Sequence, residues 1–263
     1  CTAGHGCNRA DRFAAQQRGA AIVAGPGGEK QDVYTHGHQS AVVNQHARRT
    51  AEECARFCRG VIEPHHRILD VGCGPGSITV GLARWVTDGH VTAIEPGGDI
   101  LDTARAAVTE AGVGNVSVEA ASVYELPYED DSFDVAYAHQ VLQHLTDPVS
   151  ALREMRRVVR PGGHVAVRDA DYYTMSSYPE IEEITAWRDI YRKVARHNDA
   201  EPDAGRYLLS WCRSAGLLDV TMTATVWTFG DPDERANWGN SWADRCLTLS
   251  LIHISEPTRH RRI

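Results

Sequence analysis

The sequence lacks the features that mark membrane, secreted and nucleic-acid-binding proteins. No apolar run approaches the ~20 residues that a membrane-spanning helix needs. The first residues show no basic stretch followed by an apolar one, the pattern of a secretory signal. Positive charge is not in excess, because 27 Lys and Arg face 35 Asp and Glu, for a formal net charge of −8. We therefore expect a cytoplasmic protein that partners neither a membrane nor a nucleic acid.

Cysteine is also too scarce and too scattered for a disulfide framework. The 263 residues hold seven cysteines, an odd number. Cys54 and Cys58 could share one face of a helix, but no further Cys or His pair at matching spacing completes a zinc site. We expect reduced thiols and no metal. The 42% hydrophobic content lets the chain bury a sizeable core, and its length fits one large domain or two small ones.

Short β-rich runs alternate with helical stretches through the middle of the chain. The runs predict strands at Arg67–Val71, His90–Ile94, Val116–Ala121, Phe133–Ala138 and His164–Asp169. Helices are predicted at His38–Ile62, Ser77–Val86, Asp99–Ala111, Pro148–Val159, 179–197 and Asp203–Ala215, and another is expected to begin within Pro232–Arg245. We read Pro161-Gly162-Gly163 as a turn and Asp219–Phe229 as a sixth strand. This alternation predicts an α/β fold with a doubly wound, mostly parallel, Rossmann-like sheet.

A glycine-rich segment follows the first predicted strand and opens the next helix. It reads Asp70-Val71-Gly72-Cys73-Gly74-Pro75-Gly76-Ser77. Glycines let the backbone come close to a ligand, and the helix N-terminus offers free N–H groups. The carboxyl end of a strand is where open α/β sheets bind ligands. The segment therefore predicts a ligand-binding loop.

Glu95 ends the second predicted strand, where an acid can accept hydrogen bonds from both hydroxyls of a ribose. Two ligands fit a glycine loop with such an acid: a nicotinamide dinucleotide and S-adenosylmethionine. The spacing here is Gly-x-Gly-x-Gly rather than the dinucleotide pattern Gly-x-Gly-x-x-Gly. Asp70 would repel a pyrophosphate and would suit the cationic amino group of a methionine. The residues favour S-adenosylmethionine.

Four stretches carry a resemblance to a known family: DVGCGPG, AIEPGGDILDTA, ELPYEDDSFDVAYAHQVLQHLTDP and LREMRRVVRPGGHV. In this order they resemble motifs of the class I S-adenosylmethionine-dependent methyltransferases. The likeness runs from about Tyr34 to Phe229 and is nearest to the small-molecule group that includes the ubiquinone/menaquinone biosynthesis methyltransferases. It implies S-adenosylmethionine as cofactor, and cofactor contacts from Tyr34, Asp70, Gly72, Cys73, Gly74, Gly76, Glu95, Pro96, Ser122, Val123 and His139. Ser122 stands where the family usually has an Asp that reaches the adenine amine.

Methyl transfer from a sulfonium is a direct displacement, so the protein mainly aligns the two reactants and excludes water. A hydroxyl or enol acceptor would also need a base. The candidates are His139, His144 and Asp169, with His36 and His38 as further histidines. We expect a small-molecule substrate, since the Pro-Pro-aromatic motif that grips a flipped base is missing. The alternatives are a non-catalytic S-adenosylmethionine-binding module and, third, a nicotinamide-dependent oxidoreductase.

The ends of the chain differ in pattern from its middle. We read residues 1–33 as a flexible or non-native segment and 246–263, which includes LIHISEPTRHRRI, as a non-native tail. The domain is expected at 34–245, with a lid helix at 34–62, a cofactor-binding core at 63–170, and substrate-side helices with the last strand at 171–245. The resemblance implies a seven-stranded sheet, and no seventh strand is found. We therefore expect a C-terminal truncation that removes the last strand.

Overall fold

The computed structural model describes Val43 and residues 46–245. Its strands are β1 (Arg67–Val71), β2 (His90–Glu95), β3 (Val116–Ala120), β4 (Phe133–His139) and β5 (Val159–Arg168). Its α-helices over the same residues are α1 (Ala51–Cys54), α2 (Ser77–Trp85), α3 (Asp99–Glu110), α4 (Pro148–Val158), α5 (Glu182–His197), α6 (Leu208–Ser214) and α7 (Pro232–Arg245). Short 3-10 helices cover Arg56–Val61, Leu142–His144, Tyr172–Thr174 and Ala204–Arg206.

The five strands form one parallel sheet in the order β3-β2-β1-β4-β5. The chain winds outward from β1 to β3 and then returns to add β4 and β5 on the other side of β1. The predicted doubly wound α/β fold is confirmed. The strand order reverses between β1 and β4, and in open α/β sheets ligands bind in the crevice at the carboxyl ends beside such a point.

Helices cover both faces of the sheet, which is why its strands read as apolar runs. Leu69 and Val71 point to one face and pack with buried side chains of α4 and α6. Ile68, directly before Leu69, points to the other face and packs with buried side chains of α1 and α2. Residues 68–71 are therefore buried on both sides, and the end of β1 is held rigidly where the glycine loop begins.

The predicted sixth strand is wrong. Residues 219–229 form no strand in the structure, and most of their side chains are exposed. Their Val and Thr content favours an extended chain, but a strand also needs a neighbour to pair with its backbone. A hydrogen bond between side chains connects this run to the sheet: Arg168 Nη2 donates to Thr225 Oγ1 at 2.7 Å.

Two smaller predictions also need correction. The helix predicted over His38–Ile62 is interrupted, because Thr50 caps a new helix by accepting from Glu53 N at 3.3 Å, and a 3-10 helix follows it. Residues 38–42, 44 and 45 of that helix lie outside the described residues. The predicted turn at Pro161-Gly162-Gly163 is a bulge inside β5, because Val159 and His164 pair with residues only two apart on β4.

The helix predicted over Asp203–Ala215 is divided into the 3-10 helix Ala204–Arg206 and α6, and other predicted boundaries agree closely with the structure. Helix α4 begins at Pro148 because Asp147 caps it, accepting from Ser150 N at 3.0 Å. Helix α7 occupies the predicted range Pro232–Arg245. The segments 1–33 and 246–263 lie outside the described residues, so the expected domain limits stay predictions. Among the residues that are described, no helix is both long and apolar enough to cross a membrane.

Candidate functional site

The glycine-rich loop leaves the end of β1 in a backbone conformation that favours glycine. Gly72, Gly74 and Gly76 have φ values of 68°, 55° and 82°. The loop is fixed to the neighbouring strand, because Gly72 N and Cys73 N both donate to Ile94 O, at 2.9 and 3.1 Å. Residues other than glycine rarely adopt such positive φ values, so the loop needs glycine at these three positions.

The three glycines have different surroundings. A Cβ at Gly72 would collide with the Val141 side chain, and one at Gly76 would lie 3.1 Å from the Ala104 Cα on α3. At Gly74, by contrast, a Cβ would meet nothing within 4 Å among the atoms described. Gly72 and Gly76 therefore allow close packing inside the protein, and Gly74 faces open space that a ligand can enter.

Glu95 and the glycine loop come together as the sequence predicts. Gly74 N donates to Glu95 Oε1 at 2.7 Å across the ends of β1 and β2. Burial raises the pKa of the Glu95 carboxyl, and the bond from Gly74 lowers it in part. An acid at the end of the second strand suits the two hydroxyls of a ribose.

Asp70 lies beneath the loop rather than on its surface. Its side chain is only 2% exposed, and Oδ2 accepts from Thr79 Oγ1 on α2 at 2.6 Å. Burial raises the pKa of Asp70 to about 7, Thr79 opposes the rise, and the charge of Glu95 adds to it. Asp70 thus braces the strand end against the first turns of α2, a contact that the sequence reasoning missed.

The residues expected on the adenine side of the cofactor are less buried than the glycine loop. Pro96 is exposed, and Ser122 is exposed in a turn where its Oγ accepts from Tyr124 N at 3.3 Å. Val123 is buried and packs into the core that contains Val71. The Ser122 hydroxyl is therefore engaged within its own turn, as expected of a serine with a short side chain.

His139, at the end of β4, is level with the start of the glycine loop. Its neighbour Ala138 pairs with Val71, and His139 itself pairs with Arg168 on β5. The imidazole is 7% exposed, and neither ring nitrogen has a hydrogen-bond partner in the described part of the chain. Burial, and then the charges of Arg49 and Arg168, hold its pKa well below the usual value. His139 is therefore neutral at physiological pH.

Asp169 and His144 belong to a separate cluster around the buried Gln143. Gln143 N donates to Asp169 Oδ1 at 3.2 Å, and Gln143 Nε2 lies 3.0 Å from His144 Nε2. Asp169 Oδ2 is buried and has no partner among the described residues. Burial raises the pKa of Asp169 to about 8, against two backbone N–H bonds that lower it. The structure thus joins Asp169 with His144 and places His139 with the two arginines.

Several residues of this region were not predicted. Trp227 packs beside His139, with ring centroids 6.0 Å apart, and the guanidinium of Arg168 lies 4.9 Å from the Trp227 ring. Gln140 has φ 56°, and its Oε1 accepts from Arg49 Nη2 at 2.8 Å. The sequence signal that could have pointed to this group is Arg168, which lies directly before Asp169 at the end of a predicted strand. The predicted Tyr34, His36 and His38 lie outside the described residues.

A parallel sheet of this order, with a glycine loop after β1 and an acid at the end of β2, defines the class I S-adenosylmethionine-dependent methyltransferase fold. A model for a methyltransferase domain matches residues 62–220 of this chain. An uncharacterized methyltransferase of Schizosaccharomyces pombe is 35% identical over 231 residues, which are 85% of this chain and 81% of that protein. The chain belongs to this methyltransferase family, is an enzyme, and has S-adenosylmethionine as its cofactor.

Two further relatives extend the likeness. The ubiquinone/menaquinone biosynthesis C-methyltransferase of Vibrio campbellii is 35% identical over 161 residues, which are 56% of this chain and 62% of that enzyme. The chain therefore spans less than two thirds of that enzyme. The crystal structure of a putative methyltransferase from Bacillus halodurans has a TM-score of 0.54 at 20% identity, over 78% of this chain and 85% of that one. That similarity supports the fold alone.

The residues present fit the cofactor. S-adenosylmethionine carries a sulfonium and an amino group, both positive, and the described site offers the carboxyls of Glu95 and Asp70. The open space at Gly74 gives room for a ligand against the main chain. The family and the carboxyl of Asp70 favour S-adenosylmethionine over a nicotinamide dinucleotide, whose pyrophosphate Asp70 would repel.

Proposed function

We propose that the enzyme transfers the methyl group of S-adenosylmethionine to a small organic acceptor by direct displacement. The observation that carries the proposal is the contact of Gly74 N with Glu95 beside open space. Next to it, the ends of β4 and β5 bring both ring nitrogens of His139 and the Oδ2 atom of Asp169 to the same edge of the sheet, and none of these atoms has a hydrogen-bond partner among the described residues. When bound, S-adenosylmethionine supplies an electrophilic methyl group on a sulfur that is already an activated leaving group.

The proposed cofactor contacts follow the order of the strands. Glu95 accepts the two ribose hydroxyls, and the main chain of the loop lies against the ribose and methionine. Asp70 contributes negative charge from beneath the loop, which favours a cationic ligand. The full proposed set is Tyr34, Asp70, Gly72, Cys73, Gly74, Gly76, Glu95, Pro96, Ser122, Val123 and His139.

The proton of the acceptor, if it carries one, is proposed to pass to Asp169. The Asp169 Oδ2 atom is buried and has no partner in the described structure, and its pKa of about 8 is close to working pH. His139, with its lowered pKa, accepts a proton poorly but can orient an acceptor by hydrogen bonds. His144 is proposed to hold Gln143 and, through it, Asp169 in place.

One relative, the C-methyltransferase of ubiquinone and menaquinone biosynthesis, has a small organic acceptor by its name. The negative net charge of −8 agrees with a substrate other than nucleic acid.

The test is release of S-adenosylhomocysteine from S-adenosylmethionine, followed with a panel of phenols, hydroquinones, organic acids and amines. We expect release that depends on one chemical class of acceptor and is lost in Glu95→Ala. A folded protein that binds S-adenosylhomocysteine but methylates no member of the panel would contradict the proposal.

A further inference from the structure

A cluster of basic and aromatic side chains, the basic cluster, lies beside the proposed cofactor site, at the ends of β4 and β5. We define it by His139, Arg168 and Trp227, with Arg49 at its rim. His139 and Arg168 are paired neighbours on parallel strands, so their side chains leave the same face of the sheet. Trp227 lies across them, with its ring 6.0 Å from the His139 ring and 4.9 Å from the Arg168 guanidinium carbon.

The charge of Arg168 is not balanced by a carboxylate in the part of the chain that the structure describes. Its Nη1 donates to Glu53 O at 3.1 Å and its Nη2 to Thr225 Oγ1 at 2.7 Å, and both acceptors are neutral. A guanidinium has five N–H donors, so donors remain after these two bonds. Arg49 brings a second guanidinium to Trp227, at 5.7 Å from the ring centroid. Arg168 therefore gives the basic cluster a positive charge that no carboxylate of the described residues balances.

His139 gives a second, independent sign of a ligand. Buried polar atoms almost always have hydrogen-bond partners, yet both ring nitrogens of His139 have none among the described residues. The ring is 7% exposed, so bulk water does not serve as the partner. A neutral imidazole can donate from one nitrogen and accept at the other. An oxygen of a bound molecule would supply what His139 lacks.

The geometry points to an acceptor that carries a carboxylate, held by Arg168 and His139 under Trp227. This inference rests on the proposed function, since it names the class of acceptor for the same site. A carboxylate matches the planar guanidinium and accepts charge-assisted hydrogen bonds from it. Because His139 is level with Gly72, the bound acid lies at the start of the glycine loop, where the acceptor of a methyl group has to be.

The test compares acids with uncharged amides of the same shape. Protein saturated with S-adenosylhomocysteine is titrated by calorimetry with two pairs of probes, benzoate with benzamide and hexanoate with hexanamide. We expect the acid of at least one pair to bind about tenfold or more tightly than its amide, as a charge-assisted bond implies. Raising the salt concentration should weaken the binding of the acid and leave that of the amide unchanged.

Variants separate recognition of charge from a structural role of Arg168. Arg168→Gln should weaken the acid about tenfold and leave both the amide and S-adenosylhomocysteine unaffected, and Arg168→Lys should restore part of the loss. Thr225→Val is the matched control, because it removes a hydrogen bond of Arg168 and keeps its charge. It should change acid binding little.

Equal affinity for acid and amide in both pairs, or no measurable binding of either acid, would overturn the inference. So would an equal loss for acid and amide in Arg168→Gln and Thr225→Val, which would show that Arg168 only tethers residues 219–229. Failure of the proposed function has a different signature: the acids bind, and no acceptor releases S-adenosylhomocysteine.

Discussion

Replacing Gly74 with alanine should separate the cofactor role of the glycine loop from its effect on stability. Gly74 has φ 55°, and a Cβ there would meet no described atom within 4 Å. Gly112 has the same two properties, with φ 65° and nothing within 4 Å. It follows α3 at the opposite edge of the sheet, so Gly112→Ala is a matched control for backbone strain.

Both variants should lose a similar amount of stability. A non-glycine residue in the left-handed region costs ~1–2 kcal/mol. Alanine returns ~0.4–1 kcal/mol by restricting the unfolded chain. The free energy of unfolding should therefore fall by about 1 kcal/mol in each variant. Chemical denaturation measures this difference, and neither variant should gain a steric clash.

Only Gly74→Ala should bind the cofactor more weakly. Its new methyl group occupies the space in which the cofactor approaches the main chain, so the Kd for S-adenosylhomocysteine should rise about tenfold or more, or at least 1.4 kcal/mol. Calorimetric titration of both variants and the original protein provides the comparison. Unchanged binding by Gly74→Ala, or an equal loss in Gly112→Ala, would refute the assignment of this space to the cofactor.

Three further predictions follow from single carboxylates. Glu95→Gln should weaken S-adenosylhomocysteine about tenfold in calorimetric titration, because a neutral amide accepts ribose hydroxyl bonds less strongly; unchanged affinity would remove Glu95 from the site. Asp169→Asn should remove a large part of the fall in stability with rising pH. Burial raises the pKa of Asp169 to about 8, so its stabilising contribution is full below pH ~4 and is lost as the pH rises toward 8, by about 1.4 kcal/mol per pH unit. Parallel denaturation curves of both proteins from pH 4 to 8 would contradict this. Asp203→Asn should lower the free energy of unfolding by about 2 kcal/mol, because buried Asp203 accepts from Arg192 at 2.7 Å and from Arg196 at 2.6 Å. Chemical denaturation measures this loss, and a loss below about 0.5 kcal/mol would be too small for such bonds.

Local sequence patterns predicted the parts of the fold that depend on neighbouring residues. The run Arg67–Val71, buried from Ile68 onward, is a strand as expected, and α4 begins at the predicted Pro148. The glycine spacing and Glu95 predicted the meeting of loop and acid, because parallel strands bring their carboxyl ends to one edge. These features depend on residues close together in the sequence or on the general geometry of parallel sheets.

Features that depend on a distant partner were not predictable. The run 219–229 has strand-like residues, but whether it pairs depends on what lies beside β5. The bond of Asp70 to Thr79 requires the direction in which α2 leaves the loop. The contact of Trp227 with Arg168 joins two segments far apart in the chain, and neither residue belongs to a motif.

A crystal structure of the protein with S-adenosylhomocysteine would show whether Gly74 and Glu95 hold the cofactor. We predict that the ligand lies over Gly74 and that the Glu95 carboxylate is within about 3.2 Å of both ribose hydroxyl oxygens, the range of a hydrogen bond. A ligand bound elsewhere, or a ribose held without Glu95, would contradict the account.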